Sequence, residues 1–155
     1  MLPVMLMVIG LTFTSCNDDD EPNKFEIGVP ITFQGTLTID TNDGEDPMTV
    51  NQDLIITPES QTTCQFALNK VDLFGNPDTA FDIVTTDVKM TRDGDNIVYS
   101  GSDEFYFDIA GVDTPVPVSI TVTATEDKNG NIHETTEAYV MNRRHVTCTF
   151  VGKRK

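Results

Sequence analysis

Basic residues and tryptophan are scarce in this chain. It contains no tryptophan, two histidines, three cysteines, and ten lysines and arginines against 25 aspartates and glutamates. The net charge of −15 argues against nucleic-acid binding, which needs a basic surface, and against attachment to anionic lipid by charge. The lack of tryptophan weakens a sugar-stacking site, for which Tyr99, Tyr106 and Tyr139 remain the candidate platforms.

Motifs that carry catalysis or bind metals are also missing. The chain has no Gly-X-Ser-X-Gly elbow and no glycine-rich phosphate loop. Two histidines, His133 and His145, are too few for a metal site without a further ligand nearby. The string from Asp127 to Asn131 lacks the glycine at position six and the glutamate at position twelve of an EF-hand calcium loop, and it is typical of a hairpin turn. We therefore predict a protein that is not an enzyme and that uses no metal or cofactor, although carboxylates are numerous enough for a glycosidase pair.

The first fifteen residues are uncharged and form the predicted signal peptide, 1–15. Their apolar run, Val4 to Phe13, has the length of a signal-peptide core and is shorter than the roughly 20 residues of a membrane span. The sequence Phe13-Thr14-Ser15-Cys16 resembles a lipobox, which implies cleavage before Cys16 and lipid on its sulfur. Because a signal peptide usually opens with Lys or Arg, we expect the natural start a few codons upstream. The alternative is a buried amino-terminal strand.

A short acidic run follows the cysteine. Residues 16–27 form the predicted linker, and a charge run of this kind is usually solvated and disordered. The run also resembles the surface-export signal of lipoproteins from diderm gut anaerobes; its acidic members are Asp18, Asp19, Asp20 and Glu21. We expect a protein held in the outer membrane by its lipid and displayed on the cell surface, with the periplasmic leaflet as the alternative.

Alternation of apolar and polar residues with period two dominates the remaining chain, 28–155. The pattern predicts eight or nine short strands and no helix. Gly101 marks either a bulge in one bent strand or a turn between two. The apolar face of the strand that follows Asn129-Gly130 contains one charged residue, Glu134. The other predicted strands centre on residues 31–39, 50–56, 64–68, 80–91, 97–109, 116–124 and 146–150.

Strand spacing alone leaves a β-barrel and an Ig-like β-sandwich open. The opening strand Phe33-Gln34-Gly35-Thr36-Leu37, the proline-punctuated strand at 115–118 and the closing strand Val146 to Phe150 occur in an order that resembles the calycin-like barrel domain of gut-bacterial lipoproteins. This resemblance covers most of residues 28–155. It implies a single lipocalin-related antiparallel barrel of about eight strands, and no known activity.

Cys64 and Cys148 fall on predicted inward faces. In an exported protein they could form a disulfide, which would stabilise the fold by about 4 kcal/mol through loop-closure entropy. The alternative is two buried small apolar side chains. The basic tail, residues 142–144 and 153–155, is either a docking patch for an acidic partner or a solvated rim and frayed terminus.

Three functions remain compatible with these patterns. The first is a lipid-anchored binding module with a small apolar, glycan or protein ligand, and the second is an accessory envelope lipoprotein with a filled barrel. The third is a sandwich acting as an adhesin. A ligand cavity would favour the first, a packed interior the second, and two open sheets with exposed aromatics the third.

Overall fold

The computed structural model describes residues 24–72, 80–107 and 113–155, which form eight β-strands. Within these ranges there is no helix. The strands are β1 (Ile31–Asp40), β2 (Met48–Pro58), β3 (Thr63–Val71), β4 (Phe81–Asp93), β5 (Asn96–Phe107), β6 (Val116–Glu126), β7 (Asn131–Val140) and β8 (Arg144–Arg154).

The strands form one closed barrel in which each strand pairs antiparallel with its neighbours in sequence. β1 closes the barrel by pairing with β8, from Phe33 opposite Arg154 to Asp40 opposite Thr147. The prediction of an all-β barrel is confirmed, and the sandwich alternative is wrong. Closure pairs the backbone N–H and C=O groups of both edge strands, which a sandwich would leave exposed. This architecture is compatible with a calycin-like fold.

Period-two alternation creates the core because successive side chains of a strand point to opposite faces. On β6, five apolar residues from Val116 to Ala124 point inward and alternate with residues that face outward. The ambiguity at Gly101 is resolved in favour of one strand, since β5 runs unbroken and pairs with β6 from Ile97 to Phe107. The predicted turns at Gly94 and Gly130 hold these glycines at φ values of 61° and 76°, which favour glycine.

Two glycines make the closure of the barrel possible. Gly35 of β1 lies opposite Gly152 of β8. A Cβ atom on Gly35 would lie 2.1 Å from the carbonyl oxygen of Val151, and one on Gly152 would lie 2.5 Å from the Phe150 ring. The pairing of β1 with β8, which is the seam of the barrel, therefore depends on the absence of a side chain at Gly35 and at Gly152.

The two ends of the barrel differ. The amino-terminal end carries the starts of β1, β3, β5 and β7 and the ends of β2, β4, β6 and β8, while the far end carries the other terminus of each strand. Residues 24–30 lie at the amino-terminal end, where the Gly28 N–H donates to the Pro58 carbonyl at 2.8 Å. The Phe25 backbone exchanges hydrogen bonds with the Gln61 side chain at 3.0 and 2.9 Å.

Candidate functional site

The interior of the barrel is filled by its own side chains. Tyr99, Phe33 and Phe150 are fully buried, and the Tyr99 ring packs edge-on against Phe66 with centroids 5.2 Å apart. Two small cavities remain among the described residues. One of about 30 Å³ lies among apolar side chains towards the far end, and one of about 10 Å³ lies deeper, beside Glu134. The smaller has room for about one water molecule, because a water needs about 10–15 Å³.

Glu134 is the unusual member of this interior. Its side chain is 1% exposed, and one carboxyl oxygen accepts a hydrogen bond from the Thr136 hydroxyl. The other oxygen, Oε2, has no hydrogen-bond partner among the described residues. Burial raises the pKa of Glu134 to about 7, although hydrogen bonds from Thr136 and the Phe150 backbone oppose the shift. A carboxyl in this setting exchanges its proton near neutral pH.

A polar cluster seals the amino-terminal end. The buried carboxylate of Glu126 accepts a hydrogen bond from the Tyr99 hydroxyl at 2.9 Å and one from Arg154 Nε at 2.9 Å. The Arg154 guanidinium also lies 5.6 Å from the centre of the Phe33 ring. Burial, together with the Glu126 carboxylate, raises the pKa of Tyr99, so the phenol remains a hydrogen-bond donor.

Two open grooves lie outside this seal, of about 640 and 680 Å³. Both are lined in part by Lys24, Phe25 and Arg92, and the Arg92 guanidinium sits 4.9 Å from the centre of the Phe25 ring. The larger groove mixes charges of both signs, among them Asp95, Lys128 and Lys155. The charged residues that line the smaller groove are all cations: Lys24, Lys89 and Arg92.

Near the far end, an exposed apolar patch crosses three strands of the outer face. This distal patch consists of Tyr106, Pro117, Tyr139 and Met141, of which the tyrosines are 70% and 45% exposed and the methionine 55%. Tyr106 lies opposite Pro117, and the Met141 N–H donates to the Pro117 carbonyl at 2.8 Å. The Tyr139 ring stacks on His145, with centroids 4.6 Å apart.

The two cysteines of the domain are free and buried, Cys64 in β3 and Cys148 in β8. The disulfide that the sequence allowed is not formed in this structure, where these strands are not neighbours. Burial raises the pKa of each thiol to about 12. Both are small core side chains with little thiolate character at neutral pH.

The histidines lie on outward faces, as the alternation predicts. His133 is exposed, whereas His145 is half-buried and pairs with the Glu137 carboxylate. Within the ranges that the structure describes, no cluster of three His, Cys, Asp or Glu residues could hold a metal ion. The Asp127 carboxylate accepts hydrogen bonds from the Asn129 and Asn131 N–H groups, both below 3.0 Å, so it serves the predicted hairpin turn.

The residues of the predicted anchor lie outside the described residues. These are the signal peptide, the lipidation site Cys16 and the export signal Asp18, Asp19, Asp20 and Glu21. Among the described residues, no helix is long and apolar enough to span a membrane.

Three features of the site could not be read from the sequence patterns. Arg154 belongs to β8 and pairs with Glu126, so the chain is not frayed at this residue. Continuing the alternation of β6 by one step would have placed Glu126 inside the barrel. Tyr99 is buried and is not a sugar platform, which leaves Tyr106 and Tyr139 exposed. The distal patch had no sequence signature, because its members come from separate strands.

Comparison of the chain with protein-family models, curated proteins and solved structures gives no match in any of the three.

Proposed function

We propose that this protein is a lipid-anchored accessory protein of the bacterial outer membrane, displayed on the cell surface, with a filled barrel that holds no small ligand. It binds a protein or glycan partner on its outer surface. The lipid on Cys16 provides the membrane attachment. This assignment includes no catalysis, cofactor or nucleic acid, and the resemblance to the calycin-like lipoproteins of gut anaerobes supports it.

The packed interior is the observation that carries this proposal. Pockets for small molecules typically have volumes of about 300–1,000 Å³. The interior cavities between the described side chains measure only about 30 and 10 Å³. The open grooves and the distal patch are all on the outside, so the outer surface is the part of the molecule available to a partner.

The position of residues 24–30 gives the anchored barrel an orientation. The chain from Cys16 to Phe25 reaches at most about 30 Å when fully extended, at roughly 3.4 Å per residue. Because residues 24–30 lie at the amino-terminal end, that end faces the membrane and the far end points away. The distal patch then lies on the side of the barrel that is more remote from the lipid.

Labelling with radioactive or alkyne palmitate in a diderm gut anaerobe tests the anchor. We expect label on the wild-type protein and none on Cys16→Ala, and we expect protease added to intact cells to digest the wild type. A wild type without label would overturn the lipid anchor. A labelled protein that resists protease until the outer membrane is opened would place it in the periplasmic leaflet.

Titration of the soluble Cys16→Ala protein with a dansyl-labelled fatty acid tests the filled interior. We expect no saturable rise in fluorescence. The control is Ala138→Phe, which places a larger side chain in the wall of the 30 Å³ cavity. Saturable binding that Ala138→Phe removes would reject the filled barrel.

That outcome would favour the second candidate, a barrel that binds a small apolar ligand. The observation in its favour is the unpartnered Glu134 Oε2 beside the inner cavity. A second observation is the short pairing of β4 with β5, Lys89–Asp93 with Asn96–Ser100. Beyond it, the Thr86 N–H reaches the Asp103 side chain at 3.5 Å. Such a ligand would carry a hydrogen-bond donor that reaches Glu134 at the end of an apolar body.

A further inference from the structure

We infer that the smaller open groove at the amino-terminal end is a docking site for the acidic run of the same chain, residues 18–21. This is the groove of about 640 Å³. The inference goes beyond the proposed function, because it concerns a contact within the chain that needs neither the lipid nor a second molecule. It gives the acidic run a structural role beside its resemblance to an export signal.

Positive charge distinguishes the smaller groove in a strongly acidic chain. Only ten of the 155 residues are lysine or arginine, yet three of them, Lys24, Lys89 and Arg92, line this groove. Among the described residues, no aspartate or glutamate lines it. The larger groove also contains cations, but carboxylates such as Asp95 line it as well. A negatively charged segment is therefore attracted more strongly to the smaller groove than to the larger one.

Three parts of the fold form the walls of this groove. The first is the last part of β4, where the Lys89 side chain is exposed. The second is the turn between β2 and β3, which is held to β4 by a hydrogen bond of 2.8 Å from the Met90 N–H to the Thr62 carbonyl. The third is Phe25, whose ring lies under the Arg92 guanidinium. Since backbone hydrogen bonds connect these walls, the groove is a preformed part of the fold.

The position at which the described chain begins identifies the occupant. Lys24 is the first residue that the structure describes, and it lines the groove. Only Pro22 and Asn23 separate it from the acidic run. At roughly 3.4 Å per residue, even Asp18 lies no farther than about 20 Å along the chain from Lys24. The run is therefore always close to the groove, and its charge is opposite to that of the groove.

The short tether compensates for the weakness of each ion pair. An exposed ion pair contributes little by itself, because both partners are hydrated and flexible. A tether of this length makes docking intramolecular, with an effective concentration in the millimolar range. Salt limits the attraction to a distance of about 10 Å at 0.1 M and about 3 Å at 1 M. We therefore expect the run to be docked at low salt and released at high salt.

Docking would also determine the height of the barrel above the membrane. This consequence, unlike the docking itself, rests on the proposed lipid on Cys16. With the run in the groove, Asn17 is the only residue between the lipidated cysteine and the run, which corresponds to about 7 Å of extended chain. The acidic run would thus shorten the linker and hold the amino-terminal end of the barrel against the membrane.

Paramagnetic relaxation enhancement in the lipid-free chain, residues 16–155, locates the run. A nitroxide label is attached to the Cys16 thiol, since Cys64 and Cys148 are buried and do not compete for the reagent. We expect strong broadening of the amide signals of Lys89 and Thr91 at low salt. In about 1 M sodium chloride the broadening should fall by about threefold or more, because the ion pairs are screened.

A variant with a neutral run is the matched control. Asp18→Asn/Asp19→Asn/Asp20→Asn/Glu21→Gln removes the four charges but keeps the length of the tether and the size of each side chain. We expect broadening about threefold weaker than in the acidic chain at low salt, with little further effect of added salt. Equal broadening in the two chains would overturn the inference, because the tether alone would then explain the proximity.

Substitution of Lys89 tests the groove itself. Lys89→Gln removes one cation and leaves the contact between Arg92 and Phe25 in place, so we expect docking to weaken by about twofold to fivefold. Lys153→Gln, at an exposed lysine of the same end that does not line the groove, should leave the broadening unchanged. Equal effects of both substitutions, or broadening centred on the larger groove at Lys128, would overturn the assignment. Neither result would affect the lipid anchor or the filled interior, which have their own tests.

Discussion

The guanidinium of Arg154 and the carboxylate of Glu126 join the end of β8 to the end of β6 at the amino-terminal end of the barrel. Arg154 Nε and one terminal nitrogen lie 2.9 and 2.6 Å from Glu126 Oε1. The Glu126 side chain is buried, and its second oxygen accepts the hydrogen bond of the Tyr99 hydroxyl. The last strand thereby supplies the cation that neutralises a carboxylate inside the barrel.

Replacing Arg154 with methionine should destabilise the domain by about 2–3 kcal/mol. The substitution keeps an apolar stem over Phe33 but leaves the Glu126 carboxylate buried without its cation, and an unpaired buried charge is costly. Urea unfolding followed by circular dichroism measures the change. Lys153→Met, one residue earlier and exposed, is the control and should change stability by less than about 0.5 kcal/mol. Equal effects of both substitutions would contradict a specific role for Arg154.

Protonation of Glu134 should make the domain more stable in mild acid than at neutral pH. The pKa of this carboxyl is about 7 in the folded protein and 4.5 as the ordinary value, so the folded state binds more protons between these pH values. Its contribution to stability is fully present below pH 4.5 and is lost as pH rises through 7. The loss amounts to about 3 kcal/mol, since one pKa unit corresponds to about 1.4 kcal/mol.

Glu134→Gln removes this titrating group while keeping a polar side chain of similar size. We expect the unfolding midpoint of the variant to change much less between pH 5 and pH 8 than that of the wild type. Glu45→Gln, at an exposed turn, controls for the change of net charge. A wild-type pH profile that Glu134→Gln leaves unaltered would show that other groups cause it.

Cys64 and Cys148 should not react with thiol reagents while the protein is folded. Burial raises both pKa values to about 12 and also blocks the approach of the reagent. With Cys16→Ala protein, Ellman's reagent should detect almost no thiol under native conditions and two thiols per chain in urea. Fewer than two thiols in urea without reductant would instead indicate the disulfide between them.

Adding a methyl group at Gly35 should prevent tight closure between β1 and β8. The new Cβ would collide with the backbone of Val151 and Gly152, which cannot rotate away as a side chain can. We expect Gly35→Ala to cost about 3 kcal/mol or more, or to yield no folded protein. Thr36→Ala, the outward neighbour, should change stability by less than about 1 kcal/mol in the same thermal unfolding measurement. A folded Gly35→Ala of wild-type stability would contradict the seam.

Much of the fold could be predicted because burial of one face requires apolar and polar residues to alternate along each strand. The residues from Val116 to Ala124 predicted β6 and its inward face, and Glu134 was already visible as a charge on an apolar face. Glu126 was not recognised, although it occupies the next inward position of the same strand. Its partner Arg154 is contributed by another strand, and such pairing has no local pattern.

By itself, the sequence determined the strand periodicity, the turns at Gly94 and Gly130, and the acidic charge, because each depends on residues close together in the chain. Tertiary structure alone decided that the interior is filled, since packing depends on side chains from all eight strands. It also decided that Cys64 and Cys148 are apart and that Tyr106, Pro117 and Met141 are adjacent. The physical reason is that the register between strands, and not the order of residues along any one strand, sets these contacts.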